Sequence, residues 1–388
     1  MIKIIKGGML YHPEYKGKKD ILIADGKIAA IEDEIKINSP FIQEIDASGK
    51  IVAPGFIDNH VHIIGGGGEG SYKTRTPELF LSDAITGGIT TIVGVIGTDG
   101  TTRTMTSLIA KAKALKEEGI SCYLHTGSYQ VPVKTLTNKV EDDLILIEEI
   151  IGVGEIAIAD HRSSQPNDQE IAKIAAAARV GGMLSGKAGI VNIHIGDSDS
   201  KLSLLLEIVQ NTDLPIKQFL PTHINRNRKL FEAGMDYAKR GGFVDFTTSS
   251  IAQFLEKGEV KCSKGLKEMI ENGVPIGHIT FSSDGQASLP EFDRNGEFIG
   301  LQVGRVTSLY KEVRDAIVQE GVDISSALKV VTLNPAKILK LHQKGTIEVG
   351  KDADLVFINR DSFDLETVIA KGKMMMHEKE LLVKGTFE

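Results

Sequence analysis

Histidine and aspartate side chains follow several predicted strands in the middle of the chain. His60 and His62 are two residues apart, and on a strand such residues point to the same face, so both imidazoles could bind one metal ion. His194, His223 and Asp284 lie at or near the ends of later predicted strands. Nitrogen and oxygen ligands without thiolates are typical of zinc or another borderline divalent ion. His60 and His62 alone could be histidines packed in a polar core, but the five residues together favour a metal site.

Glu155 is the candidate for a group shared by two metal ions. Paired metals lie roughly 3.5–4 Å apart and hold a hydroxide between them, so five ligands and one bridging anion are what such a pair needs. A glutamate offers the two oxygens of a bridge, and Glu155 opens the apolar run of GVGEIAIADHRSS. However, the predicted strand 155–162 begins at Glu155, whereas ligands belong at the C-terminal ends of barrel strands. Either the strand lies earlier, near 149–155, or Glu155 is not the bridge.

Strands and helices alternate through the middle of the chain. Apolar and β-branched runs predict strands at 56–62, 90–96, 121–129, 155–162, 191–197, 219–225, 243–249 and 279–285. Apolar periodicity predicts helices at 77–86, 105–118, 141–151, 168–180, 201–211, 230–240 and 264–272. This alternation predicts an α/β fold, a closed (β/α)8 TIM-like barrel, with a doubly wound open sheet as the alternative. The candidate ligands would then meet at the C-terminal rim of the barrel.

Both ends of the chain are rich in short strands, whereas the middle is not. Asp25-Gly26, between two such runs, is a hairpin turn signal. The similarity of the two ends predicts one small domain, a β-sandwich built from residues 1–55 and 341–388. The metal-dependent barrel would then occupy residues 56–340.

Composition limits the classes of function. The 388 residues include 45 basic and 52 acidic side chains, a net charge of −7, and no tryptophan, which argues against a nucleic-acid-binding protein. Cys122 and Cys262 lie far apart and form neither a zinc motif nor a disulfide framework, as expected in a reducing compartment. The N-terminus lacks the features of a signal peptide, and the chain has no apolar run of about 18 residues. We therefore expect a cytoplasmic protein without membrane spans.

Motifs along the whole chain resemble those of a known superfamily. PGFIDNHVH, followed by strand-end histidines and an aspartate, resembles the motifs of the amidohydrolase superfamily. Eight further motifs resemble those of one family within it, the isoaspartyl dipeptidases: HVHIIGGGGEG, TRTPE, GTDG, TGSYQVP, DHRSS, LPTHINRN, SSDG and KGTFE. The resemblance implies a metal-bearing (β/α)8 barrel with a small β domain, and hydrolysis of β-aspartyl dipeptides by a metal-bridged hydroxide. It also implies two divalent ions, with Zn²⁺ as the expected metal, and a homo-oligomer, an octamer.

The resemblance assigns the metal ligands and departs from the family pattern at one position. Family members typically carry a lysine at the end of strand four, carboxylated by carbon dioxide so that it bridges both metals. Here that position falls on Glu155, and no lysine occurs between Lys139 and Lys173. Glutamate is shorter than carboxylated lysine but has the same two oxygens and the same charge. The ligands so implied are His60, His62, His194, His223 and Asp284, with Glu155 as the bridging carboxylate.

The resemblance also implies how the substrate is held. Glu69 would bind the α-ammonium of the substrate, and Arg162 and Arg226 would bind its two carboxylates. Thr98 and Ser288 would assist in binding the same groups. Tyr129 would stabilise the oxyanion, and Asp284 would take the proton of the hydroxide and deliver it to the leaving amine. From the residues alone, Arg162 could instead form an ion pair with Asp160, and Tyr129 could be a packing residue.

Two other classes of function stay open. Another amidohydrolase, acting on a cyclic amide as a dihydroorotase or hydantoinase does, or a deaminase, would share the metal ligands but give no reason for Glu69 and the paired arginines. A non-catalytic homologue used for assembly would hold no metal. Assays of β-Asp-Leu against dihydroorotate or hydantoin, together with elemental analysis, distinguish these classes.

Overall fold

The computed structural model describes residues 2–293 and 298–388. The strands are, in chain order, β1 (Ile2–Tyr11), β2 (Tyr15–Ala24), β3 (Lys27–Glu32), β4 (Ile42–Asp46), β5 (Lys50–Pro54), β6 (Phe56–Val61), β7 (Ile89–Gly94), β8 (Ser121–Thr126), β9 (Ile150–Ile158), β10 (Ile190–Ile195), β11 (Phe219–Thr222), β12 (Val244–Thr247), β13 (Ile279–Ser282), β14 (Ser288–Phe292), β15 (Phe298–Val303), β16 (Leu355–Asn359), β17 (Leu365–Ala370), β18 (Lys373–His377) and β19 (Glu380–Leu381). The helices are α1 (Leu81–Thr86), α2 (Met105–Glu118), α3 (Val140–Leu146), α4 (Asp168–Ser185), α5 (Ser203–Asn211), α6 (Arg228–Lys239), α7 (Ala252–Glu256), α8 (Cys262–Glu271), α9 (Ser308–Val318), α10 (Ile324–Lys329) and α11 (Leu333–Ile338). Among the helices of these residues, none combines the length and the apolar character that a membrane crossing needs.

A curled parallel sheet occupies the middle of the chain. Its six strands, β6 to β11, lie in sequence order, and each neighbouring pair is parallel. β12 and β13 form a further parallel pair. Backbone hydrogen bonds reach this pair from both ends of the sheet: the Ile224 N–H donates to the Asp245 carbonyl (3.3 Å), and the Asp284 N–H donates to the His60 carbonyl (3.1 Å). The predicted alternation of parallel strands and helices is thereby confirmed.

Helices cover the parallel sheet through one large apolar core. Buried strand residues such as Phe56 and Phe281 belong to the same cluster as the helix residues Leu108, Ile171 and Phe231. Burying an apolar side chain of this size stabilises the fold by about 1.5–3 kcal/mol. This core fixes the strand ends at which the candidate ligands lie.

The predicted boundaries around the fourth strand of the sheet were wrong. Helix α3 ends at Leu146, not at residue 151, and β9 spans Ile150–Ile158 rather than 155–162. Asp160 and Arg162 lie in the turn that follows. All nine residues of β9 are buried, and a fully buried apolar run shows neither the strand nor the helix period, so its limits were drawn by composition alone.

The two ends of the chain build one antiparallel-rich sheet. It runs in the order β19-β18-β17-β16-β5-β1-β2-β3, with β4 beside β1, and the antiparallel pair β5–β16 joins the N-terminal and C-terminal strands. A separate apolar cluster packs against it and includes Ile5, Ile23 and Phe357. Asp25 and Gly26, both with positive φ, form the two-residue turn between β2 and β3. The predicted strands at both ends and the predicted hairpin are confirmed.

Candidate functional site

Five of the six candidate ligands lie at the carboxyl ends of parallel strands. His60 is in β6, His62 directly follows it, and His194 is the penultimate residue of β10. His223 directly follows β11, and Asp284 lies two residues beyond β13. His223 and Asp284 have φ angles of 64° and 52°, which redirect the chain where each strand ends. All five side chains are buried, and the sheet brings them to one end of the fold.

Glu155 lies at the centre of this group. Its Oε2 is 3.3 Å from His60 Nε2, 3.3 Å from His194 Nδ1 and 3.5 Å from His223 Nε2, and its Oε1 is 3.6 Å from His62 Nε2. Two groups of close ligand atoms result, one with His60 and His62 and one with His194 and His223, and Glu155 belongs to both. Oε2 faces His60, His194 and His223 and Oε1 faces His62, so this one carboxylate reaches both groups, as a group that two cations could share must.

A β-bulge directs Glu155 towards the histidines. The pairing of β9 with β10 shifts by one residue here, so that Gly154 and Glu155 together lie opposite Asn192. A bulge of this kind redirects a side chain. Gly154 has a φ of 141°, and a Cβ at this position would lie 2.6 Å from the Asn192 carbonyl oxygen, so the bulge requires glycine. Glu155 is therefore not the start of a strand, as the sequence suggested, but an interior residue of a strand that begins earlier.

In each of the four histidines, the ring nitrogen that points away from the other candidate ligands contacts a group that is not itself a candidate ligand. The partners are Asn192 Oδ1 for His60 Nδ1 (3.1 Å), the Ile96 carbonyl for His62 Nδ1 (3.2 Å), Asp160 Oδ2 for His194 Nε2 (2.8 Å) and Thr247 Oγ1 for His223 Nδ1 (2.5 Å). A ligating histidine characteristically donates its other N–H to such an acceptor, which fixes the ring and the tautomer. The nitrogens that face Glu155 are then the ligand atoms that these rings offer, and His194 Nδ1 is also approached by the Tyr129 hydroxyl.

Three buried polar atoms at the centre have no hydrogen-bond partner within the described residues. They are His60 Nε2, Glu155 Oε1 and Asp284 Oδ1. Leaving a buried polar atom unpaired costs about 1–3 kcal/mol, and more for a charged group. All three are metal-ligand atoms and converge on the same place, so bound divalent cations would satisfy them. This donor set of imidazoles and carboxylates therefore fits the metals that the sequence predicted.

The charges at the centre also require a cation. Burial raises the pKa of Glu155, but the charge of His60 and the close contacts with His194 and His223 outweigh it and hold that pKa well below its usual range. Burial lowers the pKa of His60, yet Glu155 and Asp284 raise it to about 9. Burial lowers the pKa of His223 to about 3. Glu155 is consequently an anion inside the protein, and it needs either a protonated imidazole or a metal ion beside it.

A polar cavity of about 50 Å³ opens beside the ligands. His62 and Asp284 line it, together with the residues assigned to substrate by resemblance: Glu69, Thr98, Tyr129, Arg162, Arg226 and Ser288. The Glu69 carboxylate accepts a hydrogen bond from Thr98 Oγ1 (3.0 Å) and lies 3.4 Å from Arg162 Nη1. Ser288 Oγ approaches its second oxygen at 3.5 Å. The structure thus brings all these residues to one cavity wall.

Tyr129 and Arg162 connect the cavity wall to the ligand cluster. The Tyr129 hydroxyl lies 2.8 Å from His194 Nδ1, within hydrogen-bond distance, and burial raises the pKa of the hydroxyl well above the usual range, so it stays protonated. The Arg162 guanidinium lies 5.4 Å from the Tyr129 ring centroid and binds both oxygens of Asp160, at 3.0 and 2.7 Å. Arg162 therefore forms the ion pair with Asp160 and also lines the cavity, so the two roles that the sequence offered as alternatives occur together.

Sequence reasoning named Asp160 only as an ion-pair partner of Arg162, and it missed both the contact of Asp160 with His194 and the place of Arg103 in the site. Asp160 binds His194 and Arg162 through the same carboxylate, and its position in DHRSS beside two polar residues was a signal for such a role. Arg103 is 4% exposed and lines the cavity, where it binds the carbonyl oxygens of Gly65 and Gly66. No local pattern could have indicated Arg103, because its partners are backbone atoms about 37 residues away.

Comparison with known proteins defines the family. A model of the amidohydrolase family matches residues 51–375, so the chain belongs to the amidohydrolase family. Within it the chain is similar to beta-aspartyl dipeptidase from Fervidobacterium islandicum AW-1, whose structure with beta-Asp-Leu dipeptide is 46% identical, covers 98% of each chain and has a TM-score of 0.90. A second structure of that dipeptidase is 43% identical, with the same coverage and a TM-score of 0.89. A dihydroorotase from Elusimicrobium minutum is 25% identical over 92% of this chain and 88% of its own. The resemblance drawn from the motifs is thereby confirmed.

Proposed function

We propose that the protein is a binuclear metal-dependent dipeptidase that hydrolyses β-aspartyl dipeptides. The observation that carries this proposal is the pair of histidine groups that share Glu155, beside a cavity whose charged lining includes Glu69, Arg162 and Arg226. The similarity over 98% of the chain to a beta-aspartyl dipeptidase supports the same substrate class.

We infer that the eight parallel strands β6–β13 close into a (β/α)8 barrel. The hydrogen bonds from β12 and β13 to both ends of the six-stranded sheet support closure. The nine-stranded sheet of the two chain ends, with an apolar cluster of its own, supports a small β domain of sandwich type. On this division residues 56–340 form the barrel, and residues 1–55 and 341–388 form the small domain.

Two divalent ions would be held by the buried cluster. We assign one to His60, His62 and Asp284 and the other to His194 and His223, with Glu155 shared, and zinc is the expected metal for this donor set. When bound, such ions supply a nucleophilic hydroxide at neutral pH and polarise the scissile carbonyl. The carboxylate of Glu155 takes the part that a carboxylated lysine has in the typical family member, and it needs no carbon dioxide.

The chain's own residues handle the proton and the developing charge. In the hydrolysis, water adds its oxygen to the amide carbon and its proton to the leaving nitrogen as the C–N bond breaks. Asp284, at the cavity wall, accepts that proton and delivers it to the amine. The protonated Tyr129 hydroxyl donates a hydrogen bond to the carbonyl oxygen as negative charge develops there.

Three charged groups of the cavity wall are complementary to the charges of a β-aspartyl dipeptide, whereas Asp99 in the same wall is paired with Arg75. At pH 7 such a dipeptide has one ammonium and two carboxylates. Glu69 is the acid for the ammonium, and Arg162 and Arg226 offer planar donor groups for the carboxylates. Arg226 is placed by the turn that follows β11, where its N–H donates to the His223 carbonyl (3.1 Å) and the next residue, Asn227, caps helix α6. Thr98 and Ser288 assist by fixing the Glu69 carboxylate.

A substrate comparison with a metal measurement tests the proposal. We expect purified protein to contain about two divalent ions per chain by elemental analysis and to hydrolyse β-Asp-Leu, while α-Asp-Leu, dihydroorotate and hydantoin react at least 100-fold more slowly. Faster turnover of a cyclic amide would assign the site to that branch of the family instead. Absence of bound metal, with no activity after metal is added, would indicate a non-catalytic homologue. The predicted octamer is measured in the same preparation by light scattering.

A further inference from the structure

The loop that carries Glu69 consists almost entirely of glycine. Residues 65–70, which we call the glycine loop, read GGGGEG, and Gly65, Gly67 and Gly68 have φ angles of 77°, 67° and 104°. Such a backbone is free to adopt many conformations and loses much entropy when it is fixed. Neighbouring groups must therefore hold the glycine loop if Glu69 is to occupy one position.

Arg103 holds the glycine loop from one side. Its Nε donates to the Gly65 carbonyl (2.6 Å), and its Nη2 donates to the carbonyls of Gly66 (2.6 Å) and Thr76 (3.1 Å). Within the described part of the chain, the acceptors of these hydrogen bonds are backbone carbonyls and not carboxylates. Because burying a guanidinium without a carboxylate is costly, this contact calls for a reason beyond ordinary packing.

The glycine loop and the guanidinium fit each other closely. A Cβ at Gly65 would lie 2.8 Å from Arg103 Nη2 and 2.3 Å from the Thr76 carbonyl oxygen. On the opposite side, the Gly66 N–H donates to the Gln286 carbonyl (3.1 Å). The first half of the glycine loop is thus fixed between Arg103 and the segment that follows Asp284, while Thr74 accepts hydrogen bonds from the N–H groups of Gly68 and Gly70 in the second half.

Glu69 itself has few constraints. Its side chain is 33% exposed, and its carboxylate touches only the ends of Thr98, Ser288 and Arg162 at 3.0–3.5 Å within the described residues. The place of this carboxylate therefore depends on these three side-chain contacts and on where the backbone of the glycine loop is held.

We propose that Arg103 is a positioning residue for ammonium recognition: its bonds to the carbonyls of Gly65, Gly66 and Thr76 fix the glycine loop so that Glu69 meets the α-ammonium of the substrate. This inference rests on the proposed function, because it requires a substrate with that ammonium. Lysine cannot replace Arg103 fully, since an ammonium lacks the planar arrangement of donors that reaches three carbonyls at once.

Two ligands that differ only in the ammonium test this role. N-Succinyl-leucine is β-Asp-Leu without its α-ammonium, so KM for β-Asp-Leu and the inhibition constant of N-succinyl-leucine can be measured in one assay. In the Arg103→Met variant we expect KM for β-Asp-Leu to rise at least tenfold, while the inhibition constant of N-succinyl-leucine and the metal content change by less than threefold. Arg103→Lys should give an intermediate KM.

A control variant separates positioning from loss of stability. Lys344 is another buried cation, paired with Asp352 and Asp354 at 2.8 and 2.5 Å in the terminal sheet region. Lys344→Met should lower Tm and leave both constants unchanged. If Arg103→Met does not fold, Gly65→Ala disturbs the same contact from the loop and should raise KM selectively.

The outcomes distinguish this inference from the proposed function. Wild-type protein that does not hydrolyse β-Asp-Leu, or binds it no better than N-succinyl-leucine, overturns the assigned role of the site and this inference with it. Wild-type protein that prefers β-Asp-Leu, together with a folded, metal-loaded Arg103→Met or Gly65→Ala variant that keeps the same preference, overturns the role of Arg103 alone.

Discussion

Replacing Glu155 by glutamine removes one charge from the centre of the site and keeps the shape of the side chain. The carboxylate oxygens lie 3.3–3.6 Å from ring nitrogens of His60, His62, His194 and His223. A glutamine amide would present one oxygen and one donor group in their place. Glu155→Gln should therefore weaken the binding of both metal ions, because both groups of ligands lose the same anion.

The size of this effect follows from the distances. A single positive charge as far from Glu155 as the His60 ring nitrogen, 3.3 Å, would interact with the carboxylate by about 5 kcal/mol at an effective dielectric constant of about 20. About 1.4 kcal/mol corresponds to a factor of ten in an equilibrium constant, so the loss amounts to more than three orders of magnitude. We expect the Glu155→Gln variant to retain less than one ion per chain and to lose at least a thousandfold in kcat/KM for β-Asp-Leu.

The assay is elemental analysis after dialysis against a graded series of chelator concentrations, with turnover measured on the same samples. Glu312→Gln is the matched control, because Glu312 is also a buried glutamate that accepts a hydrogen bond, from the Ser263 N–H at 2.9 Å, but it does not line the cavity. The control should keep both ions. A Glu155→Gln protein with two ions and turnover within tenfold of wild type would refute the shared-carboxylate reasoning.

Three further predictions concern residues around the centre. Asp284→Asn should lower kcat by about 10²–10⁴ with metal retained, because proton transfer is lost; normal turnover with both metals bound would contradict the proton role. Tyr129→Phe should lower kcat by about 10²–10³ and change KM little, since it removes an oxyanion donor; steady-state kinetics in which only KM changes would assign Tyr129 to binding instead. Burial raises the pKa of Glu259 to about 7, so the folded state binds this proton more tightly than the unfolded chain. The protonated Glu259 contributes fully to the free energy of unfolding below about pH 4.5. This contribution is lost as the pH rises to 7, by up to about 1.4 kcal/mol per pH unit. The free energy of unfolding, measured with denaturant at pH 5 and pH 8, should fall less between these pH values in Glu259→Gln than in the wild-type protein. Equal decreases in the two proteins would contradict the burial of this carboxyl.

The arrangement of the parallel strands β6–β13 could be predicted because parallel strands are continuous apolar runs that alternate with periodic helices. Helix α2 has the predicted limits, and α4 begins at the predicted residue, where Asn167 caps it. β14 and β15 were not predicted, since Pro290 interrupts the first of them and proline argues against a strand. Helices α10 and α11 have only six residues each, which is too short for an apolar period to be recognised.

The positions of the candidate ligands could be predicted because each lies in a strand or at a strand end and belongs to a motif that resembles the family. The orientation of Glu155 could not, because it depends on a one-residue shift in the pairing of two strands. Nor could the contacts of Asp160 with His194, or of Arg103 with the glycine loop, since these partners lie more than 30 residues apart and meet only in the folded chain. Side-chain types thus indicated the chemistry, and the register of the sheet determined the geometry.

Reconstitution of the metal-free protein tests the central claim most directly. Protein stripped by chelation is returned to buffer free of carbon dioxide and bicarbonate, zinc is added alone, and hydrolysis of β-Asp-Leu is measured. A centre bridged by Glu155 predicts full recovery at about two ions per chain, with no further gain from bicarbonate. Activity that returns only when bicarbonate is supplied, or no hydrolysis at all with two ions bound, would contradict this account.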